Sequence, residues 1–156
     1  MRATADDILK VIATNRKATH DYHIHDKFEA GIQLVGSEVK SLRDAKVVIS
    51  DGWAEVRKGQ AYLHNVQIQE YAQANRWGHE PIRVRKLLLH RHELDKLEKQ
   101  TVIKGYTLIP LALYFKGHRV KVELALVTNK KQHDKRATKK AADDQREMDR
   151  AIKRAR

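Results

Sequence analysis

Nine histidines are the residues of this 156-residue chain best suited to bond-making chemistry. Three stand in the run His20-Asp21-Tyr22-His23-Ile24-His25-Asp26. A strand there would put His23 and His25 on one face with Asp26 beside them, and imidazoles with a carboxylate at that spacing could seat a metal ion. The run offers two ligands on one strand without a fixed third, whereas structural zinc takes four, so these side chains read as surface imidazoles near phosphates. His90 and His92 fail the zincin pattern, because Lys96 stands where a second His is needed. Hydrolysis needs a positioned base beside a nucleophile, or paired carboxylates. The chain has no Gly-x-Ser-x-Gly, no phosphate-cradling Gly loop and no close acidic pair in an apolar setting; Asp143-Asp144 lies in a basic segment. No catalytic residue, metal or cofactor is expected. A small metal-dependent nuclease built on His20–His25 stays as an alternative.

The cationic residues carry a stronger signal. Against 20 Asp+Glu stand 32 Lys+Arg, a net charge of +12 with a pI near 10.0. That balance asks for a phosphate-rich partner, nucleic acid or an anionic membrane surface. The membrane reading is the weaker: no apolar run approaches the ~20 residues that span a bilayer, and the N-terminal residues lack a signal-peptide core. Zero Cys leaves no disulfide framework, and a soluble, cytoplasmic, monomeric protein is expected. Arg83, Arg85 and Lys86 precede Leu87-Leu88-Leu89, and Lys40, Arg43, Arg119 and Lys121 fall on expected solvent faces; guanidiniums and ammoniums there would meet phosphates or stack on bases.

Half of the net charge sits at one end. Residues 128–156 hold 11 Lys+Arg against 5 Asp+Glu, a net +6, and contain no Gly, Pro, Trp, Tyr, Phe or Leu. Such a segment cannot bury enough apolar surface to offset the entropy of ordering it. Its Ala, Lys, Arg, Gln and Glu nonetheless favour helix. A helix would align Ala137, Ala141, Met148, Ala151 and Ala155 in a thin stripe, and Lys139, Arg146, Arg150 and Lys153 in another at i, i+7, i+11 and i+14. The expectation is a conditional helix, frayed alone and formed inside a phosphate-lined groove.

The rest of the chain must position these charges. Residues 1–20 read as an arm or short helix. Residues 22–35 read as a strand with Phe28, Ala30, Ile32 and Leu34 on one face. Gly36 breaks it, and Ser37 would cap a short helix with Val39 and Leu42 inward. Trp53–Arg57 and Ala61–Ile68 form a hairpin around Lys58-Gly59-Gln60, and 69–82 is a polar loop. A helix spaced on His90, Leu94 and Leu97 stops at Gly105. Tyr106–Phe115 and the alternating Val120, Val122, Leu124 and Leu126 form the last hairpin, with Pro110 expected at an edge or bulge. The fold class is mostly β: a small OB-like Greek-key barrel (21–127) with two or three short helices, after an N-terminal arm (1–20) and before a basic tail (128–156).

Several segments stand in a telling order: Asn15-Arg16-Lys17-Ala18 with His20-Asp21-Tyr22; Phe28-Glu29-Ala30-Gly31; Gly36-Ser37-Glu38-Val39-Lys40-Ser41-Leu42-Arg43; Arg83-Val84-Arg85-Lys86-Leu87-Leu88-Leu89; Gly105-Tyr106-Thr107; and Lys130-Lys131-Gln132-His133-Asp134-Lys135-Arg136. In order and spacing they resemble the small protein B (SmpB) family, partners of transfer-messenger RNA in bacteria. The resemblance implies an OB-type barrel that grips the tRNA-like domain of that RNA and replaces its missing anticodon arm in the A site of a stalled ribosome. Elongation factor Tu would deliver the complex, and trans-translation would rescue the ribosome and tag the unfinished peptide. By motif match, Asn15, Glu29 and Leu88 would grip the RNA, with Arg16, Lys17, His20, Lys40, Arg43, Arg83, Arg85 and Lys86 around them. Lys130, Lys131, His133, Asp134, Lys135 and Arg136 would meet the decoding centre, His133 stacking on a ribosomal base. Lys139, Lys140, Arg146, Arg150 and Lys153 would line the empty mRNA channel. One departure is Asn129, where the family usually has Gly; Asn tolerates the left-handed conformation better than most residues. A general RNA-binding OB module remains the other alternative.

Overall fold

The computed structural model describes residues 9–71, 78–130 and 132–155, and for residues 132–135 the backbone alone. Among the described residues the elements follow in the order β1 (Leu9–Thr14), α1 (Ala18–Asp21), β2 (Tyr22–Ile32), α2 (Gly36–Arg43), β3 (Val47–Val48), β4 (Trp53–Arg57), β5 (Gln60–His64), β6 (Gln67–Ile68), β7 (Arg85–Leu88), α3 (Arg91–Thr101), β8 (Tyr106–Lys116), β9 (Arg119–Asn129) and α4 (Gln132–Arg154). The mostly-β expectation holds. One antiparallel sheet runs β1-β8-β4-β5-β7-β2-β9, and the β8–β9 pairing closes six of its strands into a barrel, with β1 added on β8. Closure removes the free edges that an open sheet would expose.

The alternation read from the sequence fills this barrel. Phe28 and Ala30 of β2, Leu63 of β5, Leu87 of β7, Leu108 and Leu113 of β8, and Val122, Leu124 and Leu126 of β9 form one core, plugged by Leu42 of α2 and Leu97 of α3. A second, smaller cluster lies outside the barrel wall: Ala18 of α1 covers Ile109, Ala125 and Val127. This explains why Tyr106–Phe115 is apolar nearly throughout, because part of β8 is buried on both faces. Pro110 sits at a bulge, with the register to β9 shifting between Pro110 and Ala112. The β4–β5 hairpin turns on Lys58 (φ 53°) and Gly59 (φ 72°), two left-handed residues as a two-residue turn of the primed type requires.

Three local expectations are corrected. Residues 9–14, read as part of an arm or short helix, form β1, because their backbone pairs with Ala112–Lys116 of β8. Ser37 does not cap α2; Val35 occupies the N-cap, and the Glu38 carboxylate accepts its N–H at 2.9 Å. Glu38 and Ser41 are buried beside Leu42, whereas Val39 is only half-buried. Asn129 ends β9 opposite Tyr22 and lacks positive φ, so nothing there calls for glycine.

Candidate nucleic-acid interface

β2, β7, β8 and β9 turn one charged patch outward. Glu29 and Gly31 share the outer face of β2; Gly31 lies opposite Leu88 of β7 on one side and Lys121 of β9 on the other. A Cβ on Gly31 would stand 3.3 Å from Leu88 Cβ and 3.7 Å from Lys121 Nζ, so the missing side chain lets both fold over the strand. Leu88, on the outer face of β7, is 48% exposed despite its size. Tyr114, opposite Lys121, donates its hydroxyl hydrogen bond to Glu29 Oε2, and Lys116 Nζ donates to Glu29 Oε1 at 3.2 Å. The Tyr114 hydrogen bond above all, with help from Lys116, holds the Glu29 carboxyl below its usual range. Burial, then the Glu29 bond and charge, hold the Tyr114 phenol well above its usual value. The patch thus presents an exposed leucine, a fixed phenol and two ammoniums, a surface for bases and phosphates together.

Asn15 lies further along β8. Its N–H donates to Leu111 O at 2.7 Å and its Nδ2 to Pro110 O at 3.2 Å, clamping β1 onto the β8 bulge; it is 9% exposed. Arg16, Lys17 and His20 are exposed around it, His20 Nδ1 being 2.8 Å from Asp21 Oδ1. The root of the tail attaches here. Lys130 N donates to Asp21 O at 3.0 Å, and Lys130 Nζ donates to Thr19 O at 2.7 Å and Thr138 Oγ1 at 2.9 Å. Lys130 thereby ties α4 to α1. Beyond it, Arg136, Lys139, Lys140, Arg146, Arg150 and Lys153 are all exposed. Lys131 lies outside the described residues, as do the side chains of His133, Asp134 and Lys135.

Arg85 corrects the sequence reading. It is wholly buried, and its guanidinium donates to Glu38 Oε2 at 2.5 Å, Val66 O at 2.7 Å and Pro81 O at 3.1 Å. It cannot reach a phosphate; it braces β7 against α2. Arg83, half-buried, joins it on Glu38. Burial alone would raise the Glu38 pKa, but hydrogen bonds from Arg83, the Val35 N–H and Arg85 outweigh it and bring it below the ordinary value. Lys40 and Arg43 are exposed on α2, Lys40 lying 5.4 Å from the centre of the Tyr71 ring. Lys86 is half-buried opposite Tyr62. The His20–His25 cluster is dismantled as a metal seat: His25 hydrogen-bonds Thr128 Oγ1 at 2.8 Å, and Asp26 accepts from Lys96 at 2.9 Å. Among the described residues no group of three His, Cys, Asp or Glu could hold a metal ion, and no helix is long and apolar enough to cross a membrane.

Sequence reasoning missed Tyr114 and Lys116 as partners of Glu29. The available signal was the hydroxyl of Tyr114 near the end of an apolar run, opposite the charged face of β9. It also missed Glu38, whose place on the inner face of α2 follows from one turn of helical phase.

A family model described as SmpB protein matches residues 12–154 of this sequence. The chain belongs to the SmpB family. Curated members named SsrA-binding protein are 50% identical to it in Geobacillus thermodenitrificans (144 residues; 92% of this chain, 93% of that protein), in Thermobifida fusca (147 residues; 94% and 92%) and in Microcystis aeruginosa (153 residues; 97% and 99%). A solved structure described as tmRNA-SmpB in the bacterial ribosome matches with TM-score 0.65 and 45% identity, over 77% of this chain and 85% of that one. SmpB membership agrees with the barrel, and with a chain that binds rather than catalyses.

Proposed function

We propose that this protein binds the tRNA-like domain of transfer-messenger RNA through its barrel and enters the A site of stalled ribosomes with it, driving trans-translation. The observation that carries the reading is the outer patch, where Glu29 and Leu88 meet Tyr114, Lys116 and Lys121 on one face. The names of its relatives, SsrA-binding proteins and a tmRNA–SmpB assembly in the ribosome, point to the same RNA and machine. Asn15, Arg16, Lys17 and His20 add to the RNA contact, as do Lys40, Arg43, Arg83 and Lys86. Elongation factor Tu acts through the RNA, and the protein works as a cytoplasmic monomer.

The tail reads the ribosome. Residues 130–136 meet the decoding centre, and Lys139, Lys140, Arg146, Arg150 and Lys153 line the downstream mRNA channel. That channel is a phosphate-walled tube which a resident mRNA would fill, so a basic helix completes its contacts only when the channel is empty. Ordering a segment that is marginal alone converts that difference into discrimination.

The test removes the residues from Gln132 onward. Affinity for transfer-messenger RNA should stay within about threefold, while peptide tagging on stalled ribosomes disappears. Loss of affinity in step with tagging would refute the division of labour. Competition with bulk tRNA separates this reading from a general RNA-binding module, which would lose its bound RNA to the competitor, since phosphate contacts dominate non-specific binding.

A further inference from the structure

Beside the root of α4 the barrel wall opens into a cleft of about 480 Å³, lined by Asn15, Lys17, Tyr22, Asp51, Gly52 and Trp53 among others. That is large enough for a small ligand. The cleft is built rigidly. Gly52 is pressed onto the β8 bulge so closely that a Cβ there would stand 2.9 Å from Pro110 Cγ and 2.8 Å from Val66 Cγ2. Asn15 clamps the same bulge through Pro110 O. Trp53 is held by His64, whose ring stacks on it at 4.1 Å and 7°, and remains 38% exposed. Asn15 Oδ1 is buried without a hydrogen-bond partner, and the Asp51 carboxylate bonds nothing among the described residues.

We infer that this cleft takes one unpaired nucleotide of an RNA partner, its base stacked on Trp53 and its phosphate at Lys17. The inference rests on the RNA-binding reading above and adds a site to it. A ring fixed from behind by a second ring is a stacking platform with little left to order. Lys17 is exposed and supplies the cation, and the unpaired acceptors of the cleft, Asp51 foremost, favour bases that carry amino groups. Asp21 also lines the cleft while its backbone carbonyl anchors Lys130, so a seated nucleotide would lie against the joint between barrel and tail.

The same chemistry is available from transfer-messenger RNA and from ribosomal RNA, so both are tested with the full-length protein. Affinities for the tRNA-like domain and for isolated small ribosomal subunits are measured for Trp53→Ala, Trp53→Phe and Ser50→Tyr, the last filling the cleft from an exposed position. For the RNA that supplies the nucleotide, W53A and S50Y should each weaken binding about tenfold and W53F about threefold or less, and W53A should leave the salt dependence unchanged because the phosphate contact at Lys17 survives. A loss confined to one RNA identifies the source. Wild-type affinity of W53A and S50Y for both RNAs overturns the inference and leaves the functional reading standing. A wild-type chain that binds neither RNA overturns both.

Discussion

Glu38 and Glu29 are held below the ordinary carboxylate range for different reasons, and different measurements expose each. Glu38 is buried with Arg85, so replacing it with Gln leaves a guanidinium in the core without its counter-charge, a loss of about 3–5 kcal/mol. Because its pKa is lower in the folded protein, the wild type keeps the stabilisation above the unfolded value of ~4.3 and loses it as pH falls through the folded value. Thermal melts from pH 7 to pH 3 should therefore converge for wild type and E38Q in acid. A constant gap would show that packing, not charge, is lost. Glu29 is exposed and holds Tyr114 and Lys116 in place. Tyr114→Phe keeps the ring and removes the tether, and should weaken binding of the tRNA-like domain by about threefold to tenfold, with the melting temperature within a few degrees of wild type. Both partnerships escaped the sequence reading, because a carboxylate's partner across the barrel lies 85 residues away for Tyr114 and 47 for Arg85.

At the scale of elements, the barrel strands and α4 differ in what supports them. β8 and β9 pair along ten register positions and bury two clusters. α4 runs 23 residues, and its described side chains are exposed except for half-buried Thr138; even its large apolar side chains, Met148 and Ile152, stand 59% and 55% exposed. Its support is the Lys130 tie to α1 and local pairs such as Arg146 with Asp143 at 3.6 Å and Gln145 with Asp149 at 3.0 Å, each worth a few tenths of a kcal/mol. A helix so placed is near the limit of isolated stability. Circular dichroism should show it melting gradually, well below a cooperative barrel transition, and deletion from Gln132 should remove the first phase alone. One shared transition would mean that α4 is integrated with the core. The periodicities of 2 and 3.6 made these elements legible beforehand, and the missing N–H of Pro110 announced an edge or a bulge, of which the structure has the bulge. β1 was not legible, because apolar Ile12 breaks the alternation of Leu9, Val11 and Ala13 with polar neighbours at the point where the register to β8 shifts, and the strand is decided by an available partner on β8.

For the whole molecule, charge and covalent order determined much in advance. A net +12 with half of it in a segment too polar to fold inward dictates a polyanionic partner, and motif order alone indicated the SmpB family, since both are properties of the chain that need no coordinates. Alternating apolar residues also implied a barrel, because strands with one buried face must close or stack. Which charges face outward could be decided only by closure. Arg83, Arg85 and Lys86 are near neighbours in sequence, yet the alternation of β7 puts Arg85 inward with Leu87, against Glu38, and leaves Lys86 on the wall. Likewise only the tertiary structure set Gly52 and Trp53 beside Asn15, because a cleft is made where distant segments fail to fill the space between them.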